Sequence, residues 1–220
     1  MAKLESSFKN MVLSLVSISV VAAASLAGVY SLTHDKIEEQ KVEKQNKAIL
    51  AVLPQDIENI FVAKGDTIDA AKDLIVYRAY TDSTKQVYVG AAVKVSEIGF
   101  GGKFKLMVGF RPDNTIENYT VLEHQETPGL GDKMGKWFNN PDKKNSCVIG
   151  RQAGDLKVSK EQGGDVDAIT AATISSKAFL NAINEAYKAL TKNASEEQPE
   201  QSEEKAEEPN EEIVNEQMSK

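Results

Sequence analysis

Phe104-Lys105-Leu106-Met107-Val108-Gly109-Phe110-Arg111-Pro112-Asp113-Asn114-Thr115-Ile116-Glu117-Asn118-Tyr119-Thr120-Val121-Leu122-Glu123 is the stretch that decides the fold. Two runs of apolar, β-branched and aromatic residues, 104–110 and 115–123, flank four residues in which Pro112, Asp113 and Asn114 supply turn chemistry. That pattern predicts an antiparallel hairpin. Upstream, residues 74–80 and 87–95 have the same composition and predict two more strands, with Tyr77, Tyr80 and Tyr88 as core or cross-strand residues. Downstream, a helix is predicted over 175–190, its apolar face formed by Phe179, Leu180, Ile183 and Tyr187. Strands in succession, helices at both ends and no repeated βα unit predict an α+β domain, a largely antiparallel sheet with flanking helices.

Residues 11–32 carry no formal charge. Twenty-two such residues suffice to cross about 30 Å of hydrocarbon as a helix. A cleaved signal ending near Ser25-Leu26-Ala27 is the rival, but the run is long for one and helix-forming sequence continues beyond it, which favours a retained anchor. Lys3 and Lys9 stand against Lys36, Lys41, Lys44 and Lys47 across the span, so lysine counts leave the orientation open. Residues 35–53 read as a charged and then apolar helix that packs its last turns on the domain and stops at Pro54. Four parts follow: an N-terminus (1–10), a transmembrane helix (11–32), a domain (33–193) and a tail (194–220).

The net charge of −7 is unevenly spread. The tail holds ten Glu and two Lys, a charge of −8, which leaves about +1 for residues 1–193. Glu-, Gln- and Ser-rich and without aromatics, the tail reads as a disordered acidic segment. A near-neutral domain lacking interleaved basic and aromatic residues argues against nucleic acid. One cysteine, Cys147, and two histidines, His34 and His124, provide no Cys/His metal cluster. There is no P-loop and no supported Ser-His-Asp arrangement. Gly129-Leu130-Gly131 with Gly135 has the wrong spacing for a dinucleotide fingerprint.

Two segments carry candidate chemistry. In His124-Gln125-Glu126-Thr127-Pro128-Gly129-Leu130-Gly131, Pro128 fixes one backbone angle, while Gly129 and Gly131 permit positive φ and close approach of a ring or phosphate. A plain Pro-Gly turn is the simpler reading. In Asp167-Ala168-Ile169-Thr170-Ala171-Ala172-Thr173-Ile174-Ser175-Ser176, the Thr173 hydroxyl is a weak nucleophile and no base stands near it. Here the simpler reading is a helix start capped by Thr170 or Thr173, which is compatible with phosphate at a helix N-terminus. Trp137-Phe138 reads as core packing before it reads as a wall for a planar ligand.

The second segment resembles the flavinylation signal D-x-x-[ST]-[GA]-A-T. The first resembles the H-x-E-T-P-G-L-G signature of the G subunit of the Rnf electron-transport complex, which is related to the C subunit of the sodium-translocating NADH:quinone reductase. With Gly99-Phe100-Gly101-Gly102 as a strand entry, the resemblance spans most of residues 10–190. It implies a membrane-anchored flavoprotein that carries electrons within an ion-translocating complex. FMN would be esterified through its phosphate to Thr173 by a separate flavin transferase, with Asp167, Thr170 and Ala172 in the signal and Glu126, Thr127, Pro128, Gly129, Leu130 and Gly131 facing the cofactor. The implied partners are the other subunits of the Rnf-type complex and the lipid bilayer. The implied location is a bacterial inner membrane, crossed once, with the domain on the extracytoplasmic side. The G subunit fits better than the C subunit because the chain is shorter; a flavin-free scaffold or another binding module is the alternative. The commonest form of the signal is S-G-A-T, and alanine in place of glycine, at Ala171, disfavours positive φ.

Overall fold

Asn114 bends the deciding hairpin with a positive φ of 65°. The Asp113 carboxylate accepts the Thr115 N–H at 3.0 Å, and Arg111 N–H donates to the Thr115 carbonyl at 2.9 Å. The turn chemistry of Pro-Asp-Asn therefore sets the register of strands β5 (Lys103–Phe110) and β6 (Ile116–Glu123). A computed structural model describes residues 7–57, 60–143 and 145–196. Of the acidic tail, everything from residue 197 lies outside the described residues, as do residues 1–6.

Strands β3 (Leu74–Tyr80) and β4 (Tyr88–Ile98) stand close to their predicted bounds. The segment between Pro54 and β3, where no strand is predicted, holds two short strands, β1 (Phe61–Val62) and β2 (Asp66–Asp69), both paired to β3. Runs of two and four residues are too short to show a period-2 pattern. All strand pairings within the sheet are antiparallel, and it runs β1-β3-β4-β5-β6 with β2 beside β3. Tyr80 and Tyr88 form the expected cross-strand pair, with ring centroids 6.0 Å apart.

The chain divides into two compact units, Met1–Leu50 and Ala51–Lys220. The first contains most of α1 (Phe8–Val52), in which the predicted span and charged segment are one continuous helix, long and apolar enough to cross a membrane. Beyond the span, Lys36–Glu39, Lys41–Glu38 and Lys47–Glu43 pair one helical turn apart. In the second unit, buried Val52 and Leu53 cover one face of the sheet. Gly109 on β5 admits them, because a Cβ there would collide with the Val52 carbonyl.

The opposite face of the sheet is covered by α3 (Thr173–Glu196). Ala178, Phe179, Ala182, Ile183, Ala186 and Leu190 recur at helical spacing and are buried against Val93, Val95, Leu106 and Val108. Phe179 stacks on Phe138 at 4.4 Å and meets Tyr119 edge-on at 4.9 Å. Each such ring contributes roughly 2–3 kcal/mol through burial. This helix begins two residues before its predicted start and continues past 190 to Glu196, into the first residues assigned to the tail.

Candidate functional site

Three connections converge where α3 begins. The first is residues 99–102 between β4 and β5. The sequence reads as a strand entry there, and the structure leads it into β5 through a turn, in which Gly99 N–H donates to the Gly102 carbonyl at 2.9 Å. The glycines break the ladder, and Phe100 is left 72% exposed at its tip. The second is the segment following β6. Leu130 N–H donates to the Thr127 carbonyl at 3.1 Å, with Pro128 second in the turn and Gly129 third at φ 79°. That is type II geometry, in which the third residue must take a positive φ.

The third connection repeats this geometry. Ala172 N–H donates to the Ile169 carbonyl at 3.0 Å, and the third residue of the turn, Ala171, has φ 63°. An alanine thus holds the left-handed conformation at the position where the common signal has glycine. A conformation of this kind costs an L-residue roughly 1–2 kcal/mol. The turn is clamped at both ends. Ser176 Oγ accepts the Ile169 N–H and donates to the Ala172 carbonyl, each at 2.9 Å. Asp167 is held by its main chain, its N–H donating to the Asn145 carbonyl and its carbonyl accepting the Trp137 indole N–H, both at 2.9 Å.

Trp137 belongs to a one-turn helix, α2 (Met134–Trp137), that follows a 3₁₀ turn at Gly131–Lys133. Its place is set by Tyr119, whose hydroxyl donates to the Met134 carbonyl at 2.7 Å and whose phenol is pushed up well above its ordinary pKa by burial. Lys143 lies 3.7 Å over the Trp137 ring. Trp137 faces other concavities than the one beside Thr173, and Phe138 is fully buried, so core packing accounts for this pair.

Between the three connections lies a cavity of about 320 Å³. Glu126, Thr127, Leu130, Gly131, Ala172 and Thr173 line it, together with Phe100, Ala171, Ile174 and Ser175. Of the residues singled out in sequence, Pro128 and Gly129 shape the neighbouring turn, exposed Thr170 forms the tip of the other, and Asp167 lines the Trp137 side instead. The Ala172 carbonyl accepts the first helical N–H, from Ser176, at 3.0 Å. Alanine therefore occupies the cap position, and half-buried Thr173 is the first residue of α3. Phe100, Ile174 and Ser175 carried no signal of their own in the sequence, because only the tertiary fold brings the first of them to the other two.

Of the two glycines read as permitting positive φ, Gly129 takes it and Gly131 does not. The close approach it allows is that of a carboxylate: a Cβ there would collide with Glu126 Oε2, as one at Gly99 would with Oε1. Glu126 is buried, Oε2 accepts the Ser175 hydroxyl at 2.8 Å, and Oε1 has no hydrogen-bond partner.

Residues 99–188 match the FMN-binding domain family. The chain is similar to the G subunit of the ion-translocating oxidoreductase complex of Methanosarcina acetivorans, with 33% identity over 178 residues, 80% of this chain and 91% of the relative. It is also similar to the corresponding G subunit of Haemophilus influenzae strain PittEE, with 31% identity covering 74% of this chain and 81% of the relative. The G subunit of Shewanella amazonensis is 29% identical, covering 81% and 86%. The site fits such a cofactor. The start of a 24-residue helix offers N–H groups that have no partner within the helix and suit a phosphate. Phe100, Leu130 and Ile174 supply exposed apolar surface, and an unpartnered buried oxygen stands in the wall.

Proposed function

Because the chain belongs to the family of G subunits of ion-translocating oxidoreductase complexes, we propose that it is a membrane-anchored electron carrier holding FMN through a phosphoester on Thr173. The carrying observation is the meeting of both motifs at one cavity, with Thr173 at its edge and at the start of a long helix. When bound, the flavin supplies the redox chemistry. The helix start stabilises the ester phosphate, the apolar rim shields the cofactor from water, and the ester retains it without a basic phosphate-binding cluster.

Attachment requires a separate flavin transferase that uses FAD and a divalent cation. Thr173 Oγ1 forms the new bond to phosphorus, the pyrophosphate bond of FAD breaks, AMP leaves, and a base of the transferase takes the hydroxyl proton. Asp167 and Thr170 belong to the segment that enzyme reads. The other subunits of the complex donate and accept the electrons.

Thr173→Ala, co-expressed with the transferase, tests this reading by intact-mass spectrometry. The FMN adduct is expected to vanish while the fold persists, since one half-buried hydroxyl contributes little stability. An unchanged adduct would move the acceptor elsewhere, to Thr170 first. The same reading has the domain outside the cytoplasm on one uncleaved span, which the long apolar helix and the resemblance to the G subunits support. With Cys147→Ala as background, Ser83→Cys at an exposed site should react with a membrane-impermeant thiol reagent in intact cells. Labelling only after lysis would put the domain inside.

A further inference from the structure

Among the described residues lining the cavity, Glu126 is the one charged side chain, and it is only 6% exposed. Its single hydrogen bond comes from Ser175; Oε1 has none, and no described ion pair includes it. Burying a carboxylate in this way is unfavourable, since neither a cation nor a second donor offsets the loss of water. Two glycines nevertheless make room for it, and a third makes room for the main chain that carries it. A Cβ at Gly99 or Gly131 would meet the carboxylate oxygens, and one at Gly101 would stand 2.8 Å from Glu126 Cα. If the role were only to receive the Ser175 hydroxyl, a neutral amide of the same shape would serve without that cost.

We propose that Glu126 sets a low reduction potential for the flavin held in this cavity, a reading that rests on the FMN assignment above. Electron uptake adds negative charge beside a wall that already carries one. The Glu126 carboxylate opposes that added charge, and it does so strongly because the surroundings are poorly polarisable. The Ser175 hydroxyl partly compensates the carboxylate. The start of α3 acts with the opposite sign, favouring the permanently charged phosphate. One cavity thus separates retention of the cofactor from the tuning of its electron affinity.

The test is a spectroelectrochemical titration of the detergent-purified full chain, co-expressed with its transferase and checked for the FMN adduct by intact mass. Glu126→Gln keeps the shape and removes the charge, so the midpoint potential should shift upward. Glu126→Asp keeps the charge and should stay near the parent value. Ser175→Ala strips the carboxylate of its donor and should lower the potential. An unshifted or lowered potential in Glu126→Gln overturns the proposal, as does an upward shift in either of the other variants, which would mark a packing effect. Should Glu126→Gln hold no flavin, Ser175→Ala decides alone: a lowered potential supports the proposal, and an unchanged or raised one overturns it. If the parent protein binds flavin without an adduct, the covalent reading fails while this one is still tested; if it binds none, the functional reading itself fails.

Discussion

The turns Thr127–Leu130 and Ile169–Ala172 have the same geometry and flank the same cavity, yet they are held by different means. In the first, Pro128 presets one angle and Gly129 accepts φ 79° without strain, with nothing within 4 Å of where a Cβ would lie. It is self-sufficient. In the second, Thr170 and Ala171 have no such preference, and Ala171 is held at φ 63° by its surroundings. Ser176, Asn145 and Trp137 provide the restraint from three other parts of the chain. A turn written in its own residues can sit on the surface, whereas one imposed from outside needs buried partners, and here it presents the residue that precedes Thr173, the proposed acceptor.

The largest break in this comparison should come from Ser176→Ala. Ser176 is fully buried, and the substitution leaves the Ile169 N–H without its partner and the Ala172 carbonyl with only the Ser176 N–H. We expect a loss of roughly 2–3 kcal/mol in urea unfolding, with slower flavin incorporation as the turn loosens. The equivalent truncation of exposed Thr127 should cost less than about 0.5 kcal/mol. An exchange at the third turn positions sharpens the contrast. Gly129→Ala should destabilise and Ala171→Gly should stabilise, each by about 1 kcal/mol, because one introduces left-handed strain and the other relieves it. Thermal melts of the two variants moving in the same direction would refute the strain argument.

The smallest expected effect is a control remote from both turns. Hydrogen bonds from Lys72 and Lys188, each at 3.1 Å, hold the Glu185 carboxyl below its ordinary pKa of 4.5. A carboxyl depressed in the folded state adds stability that is present above the ordinary value and lost as the pH falls through the lowered one. Glu185→Gln should therefore cost at most about 0.5 kcal/mol at neutral pH, given its partial exposure. The deficit should disappear in acid, and flavin content should not change.

The four longer strands and α3 were legible in sequence because their periodicity and turn residues are local. The glycine-broken stretch 99–102 was legible as the approach to β5, but not as a turn back from β4, which depends on the pairing of Ile98 with Lys103. The alanine in the signal was legible as a departure from the common form. That it bears a positive φ, and what keeps it there, was not.

Residue types alone determined that an apolar run precedes an antiparallel domain, that charge collects in residues 194–220, and that two short segments are the candidates for chemistry. These properties depend on neighbours along the chain. Tertiary structure alone decided that the motifs share a cavity, that Asp167 turns toward Trp137 while Thr173 turns toward Phe100, and that Glu126 is buried among glycines with one oxygen unpartnered. Burial and orientation at that seam depend on three connections meeting, and residues 99 and 175 become neighbours of Glu126 only once the sheet and α3 have packed.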